Sequence, residues 1–200
     1  MGTGADEAEA VFRLDGVEQG RVRMALAGSH NRDNALAAIA AARHVGVTPA
    51  QAIASLGRFA GIKRRLELRG TVRGVSVYDD FAHHPTAIAL TVGGLRRREP
   101  QGRILAVLEP RSNTMKLGVM KAQLPASLAE ADLVFCHAHG LDWDAAAALA
   151  PLGARARTYD RLDALVAAVV AAAQPGDHVL VMSNGGFGGV HQKLLDALGA

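Results

Sequence analysis

Cysteine is nearly absent: the 200 residues hold one, Cys136. A lone thiol excludes an intramolecular disulfide and fits a reducing compartment. Aromatic residues are scarce, at 4%. None interleaves with the basic runs Arg64-Arg65 and Arg96-Arg97-Arg98, so the stacking platform of a nucleic-acid binder is missing. Charge of one sign is missing too, since the formal net charge is only +3. No signal-peptide pattern opens the chain, and no apolar run is long enough to span a bilayer. The expectation is a soluble, cytoplasmic protein that binds neither nucleic acid nor membrane.

What is present is a chain that is half hydrophobic and rich in alanine, long enough for one large or two small domains. Residues 1–10 are small and acidic and are expected to fray. Val11 to Leu14 and Arg21 to Leu26 read as strands around the turn signal Asp15-Gly16. A helix with apolar positions Leu36, Ile39 and Ala40 follows and ends at Gly46. Thr48 caps a second helix, with Pro49 first and Ile53 and Leu56 inward. Leu66 to Val72 and Val75 to Asp79 form a hairpin around Arg73-Gly74. From there the pattern alternates. A helix carries Ile88, Leu90, Val92 and Leu95, and Ile104 to Leu108 is a continuous apolar strand, as in a sheet covered on both faces. A helix over residues 117–129 leads to strand Leu133 to Cys136, then a short helix over Ala145 to Leu149 and a strand over Arg155 to Tyr159. Leu162, Leu165, Val166, Val169 and Val170 mark an amphipathic helix. Strand Val179 to Met182 and a last helix with Val190, Leu194, Leu195 and Leu198 complete the set. The fold class is α/β, a doubly wound, mostly parallel sheet preceded by a small α+β piece. The boundary falls between Gly61 and Gly70, dividing the chain into residues 1–65 and 66–200.

Sites in such sheets gather at the strands' carboxyl ends. The stretch VSVYDDFAHHPTAI over Val75–Ile88 places Asp79 and Asp80 at a strand end. It then places His84 directly before Pro85, the first residue of a helix. Acids there suit ribose hydroxyls or magnesium, and a helix N-terminus favours anions. The same residues would equally make a capped turn with solvated acids. Asn31 and Asn34, three apart, share one face of a helix's first turn, and an amide matches an adenine edge; both could instead be caps. Three further loops stand at strand ends: Glu109 to Lys116, His137 to Gly140, and the glycine-rich Ser183 to Gly189. Arg111 could fork onto a carboxylate, with Ser112 and Asn113 adding hydrogen bonds. Glycines around Ser183 and Asn184 let backbone N–H groups approach a ligand. Cys136, His137 and His139 are too few and too tightly spaced for a structural zinc site, which draws on two spaced pairs, so no metal site is expected. Trp143 reads as a loop anchor.

The order Asp79-Asp80-Phe81-Ala82-His83-His84-Pro85-Thr86 resembles the start of the third domain of the Mur ligases, the ATP-dependent amide-forming enzymes of peptidoglycan assembly. Gly28-Ser29-His30-Asn31-Arg32-Asp33-Asn34 resembles the family's Gly-x-His-Asn-x-x-Asn signature. Glu-Pro-Arg-Ser-Asn-Thr-Met-Lys at Glu109–Lys116 and Met-Ser-Asn-Gly-Gly-Phe-Gly-Gly at Met182–Gly189 are similar to the branch that returns a recycled tripeptide to the cell wall.

The resemblance implies ATP held by Asn31, Asn34, Arg65 (with Arg64 second), Asp80 and His84. It implies a tripeptide, L-alanyl-γ-D-glutamyl-meso-diaminopimelate, oriented by Arg111, Ser112, Asn113, Ser183 and Asn184, and joined to UDP-N-acetylmuramate. A ligase adding L-alanine alone is the family alternative; Phe81-Ala82 and the loop at Arg111 speak against it. A non-catalytic nucleotide- or peptide-binding module is the alternative outside the family.

The resemblance also implies parts that this chain lacks. No GxxxxGK[ST] phosphate loop occurs, nor the central domain's magnesium ligands, nor a UDP-binding domain. The expectation is a carboxyl-terminal piece of a longer enzyme, missing its N-terminal domains, that folds but does not catalyse. Asp80 is expected to serve ATP rather than stability, so that replacing it would hardly move the melting temperature.

Overall fold

The computed structural model describes residues 9–23 and 29–200. Gly28 of the asparagine motif and the end of the second expected strand lie outside them. The chain separates into two compact units, Met1–Lys63 and Arg64–Ala200.

In the first unit, β1 (Glu9–Leu14) and β2 (Val17–Arg23) pair antiparallel, with a bulge between Phe12 and Arg13. Asp15 and Gly16 turn between them with φ of 50° and 81°. Helices α1 (Ser29–His44) and α2 (Pro49–Gly57) follow. Thr48 and Gln51 form a reciprocal capping box at the start of α2: the Thr48 hydroxyl accepts from the Gln51 amide, and the Gln51 side chain accepts from the Thr48 amide. Ala10, Phe12, Val22, Ala35, Ile39, Ala52 and Ile53 make the core. Leu36 and Ala40, expected to face inward, are exposed. The buried stripe runs through Ala35, Ile39 and the partly buried Ala42, at i, i+4 and i+7, one position round the helix.

The second unit is a six-stranded sheet in the order β3-β4-β8-β5-β6-β7. Its strands are β3 (Glu67–Val72), β4 (Val75–Asp80), β5 (Ile104–Leu108), β6 (Leu133–His137), β7 (Ala156–Tyr159) and β8 (His178–Met182). β3 pairs antiparallel with β4 through a turn at Arg73 and Gly74, with φ of 50° and 78°. All other pairs are parallel.

Alternate strand residues feed two cores. Tyr78, Ile104, Ala106, Leu108, Val134, Cys136, Leu180 and Met182 face Ile88, Val92 and Leu95 of α3 (Pro85–Arg98) and Leu149 of α6 (Ala145–Leu149). Val75, Val77, Leu105, Val107, Phe135, Val179 and Val181 face α7 (Leu162–Ala172) and α8 (Val190–Gly199). All five residues of β5 are buried. Each large apolar side chain so enclosed stabilises by about 1.5–3 kcal/mol. The sheet is doubly wound and mostly parallel, as expected.

The expected helix over residues 117–129 is not continuous. α4 (Asn113–Lys116) stops at Gly118, where φ is 72°; a 3-10 turn spans Lys121–Gln123; α5 covers Leu124–Ser127. Pro125 has no N–H to continue a longer helix. Gly118 is held against Trp143: a Cβ there would lie 2.8 Å from its ring. The Trp143 indole donates to the Met115 carbonyl at 2.7 Å, so Trp143 anchors this loop. Leu90, expected inward, is 40% exposed on the outer side of α3.

At the amino ends of the strands, Arg103 forks onto Asp177 at 3.0 and 2.6 Å and also donates to the Ala172 carbonyl. Arg96 bonds Asp132, whose carboxylate also accepts from the Ile104 amide.

Candidate functional site

Parallel register brings the ends of β4, β8, β5 and β6 level. Asp80 pairs with Met182, Met182 with Leu108, and Leu108 with Cys136. The residues at or just past these positions, Asp80, Ser183, Glu109 and His137, therefore meet on one rim. β8 lies between β4 and β5, so the chain's winding reverses here, and such a switch point is where open α/β sheets take ligands.

Ser183 sits at the centre and is 1% exposed. Its hydroxyl donates to Glu109 Oε2 at 2.7 Å and accepts from the Gly185 amide at 2.9 Å. The other Glu109 oxygen stands 4.0 Å from His137 Nδ1. His137 in turn lies beside the rings of His139 and Phe187, with centroids 6.1 and 5.6 Å away. His137 Nδ1 and Asn184 Oδ1 are buried with no hydrogen-bond partner among the described residues. Glu109 and His137 open two of the strand-end loops, and the sequence alone assigns neither a part in holding ATP or peptide. The available signal was their position, each at or directly after a strand end. Phe187 is 1% exposed and belongs to the core. Arg111 is exposed and lies across Gly185: a Cβ at Gly185 would stand 2.7 Å from Arg111 Cδ. The absent side chain thus lets the arginine rest on the loop. The Ser112 hydroxyl caps α4, accepting from the Met115 amide, and Asn113 is exposed at that helix's first position.

Asp80 does not open towards a ligand. It is 2% exposed. Its Oδ1 accepts from the Ala82 amide at 2.7 Å and the Thr91 hydroxyl at 3.2 Å, and its Oδ2 accepts from the Leu66 amide at 2.9 Å. Burial pushes its carboxyl above the usual aspartate range, opposed by those bonds and by the nearby Arg65. Both of its oxygens are engaged inside the fold, which speaks for a share in stability beside the expected role towards ATP.

Asp79, 4% exposed, faces Arg64 Nε at 3.3 Å, Arg69 at 3.8 Å and His191 Nε2 at 3.2 Å. The His191 contact is at ion-pair distance but off hydrogen-bond alignment. Burial lowers the His191 pKa against the pull of Asp79, helped by Arg69 and Arg64.

The two linker arginines divide their work. Arg64 turns inward, donating to the carbonyls of Ser183 and Gly185 with its guanidinium 5.1 Å over the Phe81 ring. Arg65 is exposed. His84 caps α3, its Nδ1 accepting from the Thr86 amide at 3.4 Å. Asn31 is half-buried and Asn34 exposed; they are the third and sixth residues of α1 in the first unit, so Asn34 lies in the second turn rather than the first. Among the described residues, no three of His, Cys, Asp and Glu gather to hold a metal, and no helix is long and apolar enough to cross a membrane.

A family model described as Mur ligase, glutamate ligase domain, matches residues 64–185. Over 196 residues the chain is 55% identical to the UDP-N-acetylmuramate–L-alanyl-γ-D-glutamyl-meso-2,6-diaminoheptandioate ligase of Escherichia coli (strain K12), covering 96% of this chain and 43% of that protein. The UDP-N-acetylmuramate–L-alanine ligase of Thermobifida fusca (strain YX) is 35% identical over 190 residues, covering 87% and 40%. The crystal structure of a murein peptide ligase from Psychrobacter arcticus 273-4 superposes with a TM-score of 0.77 at 38% identity, covering 98% of this chain and 42% of that one. The chain spans less than half the length of each of these relatives. The family match opens at Arg64, the residue that begins the unit bearing the strand-end rim, and runs past Ser183 into the glycine-rich loop: the chain belongs to the Mur ligase family.

Proposed function

We propose that this chain is the carboxyl-terminal part of an ATP-dependent ligase that joins UDP-N-acetylmuramate to L-alanyl-γ-D-glutamyl-meso-diaminopimelate in peptidoglycan recycling, in the cytoplasm. Residues 1–65 close the ATP-binding domain and residues 66–200 form the peptide-binding domain. The observation that carries this reading is the meeting of the Arg111 and Ser183 loops on one rim, with Arg111 laid across Gly185 beside the Ser183–Glu109 bond. The relative named for the tripeptide substrate shares 55% identity and the one named for L-alanine shares 35%, which favours the tripeptide.

ATP, when bound, supplies the phosphoryl group that activates the muramoyl carboxylate. Asn31 and Asn34 offer paired donors and acceptors to adenine, and Arg65 stands exposed on a turn that Asp80 fixes. The sequence has no phosphate loop, so the β- and γ-phosphates and magnesium would be held outside this chain. Arg111, Ser183 and Asn184 orient the peptide so that its amine meets the activated carboxylate, a positioning role that carries much of a ligase's rate.

In the full-length enzyme, Arg111→Ala should raise the tripeptide KM by about tenfold or more, the worth of one charge-assisted hydrogen bond, and leave the ATP KM within about twofold. Equal losses for both substrates would sink the assignment. This chain alone should release no phosphate above the buffer blank when given ATP, magnesium and both substrates. Turnover that tracks it through gel filtration would overturn the reading.

A further inference from the structure

Arg65 is flanked by two non-glycine residues in the left-handed region: φ is 60° at Arg64 and 47° at Leu66. Such conformations persist only where the surroundings over-determine them, and they cluster at functional sites. Here three hydrogen bonds do so. The Arg64 amide donates to Glu67 Oε2 at 2.8 Å, the Leu66 amide to Asp80 Oδ2 at 2.9 Å, and the Arg64 carbonyl accepts from the Phe81 amide at 2.9 Å. The strain sends the two arginines apart, Arg65 out to solvent and Arg64 in over the rim.

The inward guanidinium spans two parts of the molecule. One terminal nitrogen donates to the carbonyls of both Ser183 and Gly185, while Nε faces Asp79 at 3.3 Å and the plane rests over Phe81. The loop it grips is anchored at Ser183 by Glu109 and at Phe187 by the core, and its backbone is a demanding one: Phe187, Gly188 and Gly189 all have positive φ, at 42°, 56° and 71°. Its internal bonds are Gly185 N–H to Ser183 Oγ and Gly189 N–H to Gly186 O.

We infer that Arg64 is a positioning residue of the peptide site: its guanidinium latches the glycine-rich loop in the geometry that presents Ser183, Asn184 and the Arg111 rest to the substrate. The identity of the group matters, because it must reach two carbonyls from one nitrogen while a second nitrogen faces a buried carboxylate. Lysine offers a single point of attachment and cannot do both. The kinetic consequence rests on the ligase reading; the structural one does not.

The test is amide hydrogen exchange on this chain without ligands, read at Gly185 and Gly189 relative to the amides of β5, which normalises for global stability. Arg64→Gln should speed exchange at both glycines by about tenfold or more relative to β5, and Arg64→Lys by an intermediate factor. Unchanged relative exchange in a folded Arg64→Gln variant overturns the latch. If Arg64→Gln does not fold, Arg64→Lys, which keeps a cation beside Asp79, is read in its place. Loss of fold in both makes Arg64 a residue of stability alone and overturns the inference. In the full-length ligase, Arg64→Lys should raise the tripeptide KM by about fivefold to tenfold, with the ATP KM within about twofold. Turnover with neither substrate pair, alongside loosened exchange, would count against the ligase reading and leave the latch standing.

Discussion

Replacing Asp80 by alanine removes the acceptor for three donors at once: the Ala82 amide at 2.7 Å, the Leu66 amide at 2.9 Å and the Thr91 hydroxyl at 3.2 Å. Thr91 is only partly buried and can turn to solvent. The two amides belong to fixed backbone. A buried donor left without a partner costs about 1–3 kcal/mol; the Ala82 amide is buried and the Leu66 amide partly so, which sets the loss at about 2–5 kcal/mol before offsets. One offset applies. Burial disfavours the charged carboxylate, as its raised pKa records, and alanine removes that penalty. A net loss of about 2–4 kcal/mol is expected, which for a unit of this size lowers Tm by about 6–15 °C. Asn in place of Asp80 keeps one acceptor oxygen and should fall between alanine and wild type. Differential scanning calorimetry on the three proteins checks the order. A Tm for Asp80→Ala within about 2 °C of wild type would refute the reasoning, because it would mean that the inward bonds do no more than water does.

Two further predictions concern buried titratable groups. Cys136 is fully buried, and burial pushes its thiol up to about 12, so a disulfide exchange reagent at pH 8 should label it only after denaturation; stoichiometric labelling of the native protein contradicts its placement. His191 has a folded pKa below its ordinary 6.5, mainly from burial, with Asp79, Arg69 and Arg64 around it. A depressed value means that its contribution to stability is present above pH 6.5 and is lost as pH falls through the folded pKa. The stability difference between wild type and His191→Gln in urea should therefore narrow between pH 7.5 and 5, and parallel curves would show that His191 is not held neutral.

The alternation of strands and helices was legible because each element carries its own period. The β5 run of five apolar residues, the turn at Arg73-Gly74 and the capped start of α2 are local signals, and the structure has all three. Other features depend on distant partners. The helix expected over residues 117–129 breaks because Gly118 must sit against Trp143, a contact across 25 residues. Leu36, expected on the inner face, points to solvent because the stripe that meets the rest of its unit runs through Ala35 and Ile39 instead. The motif around Asp80 was visible as a motif, but the direction of its carboxylate was not, since that follows from where Leu66 and Thr91 come to lie. The meeting of Glu109, Ser183 and His137 required the register of three parallel strands, which no single stretch encodes. The two adjacent arginines could be told apart only by backbone torsions.

The bidentate pair Arg103–Asp177 and the single bond Arg96–Asp132 brace the sheet at the ends opposite the rim. The ion pairs that brace the sheet and the rim proposed to hold the peptide therefore occupy opposite poles of one domain, about a strand length apart. Distant sites act nearly independently, so substitutions among the rim loops can retune what is recognised while the far pole keeps the sheet assembled. In evolutionary terms this is a chassis: related ligases can diverge in the group they accept without renegotiating the scaffold that carries it.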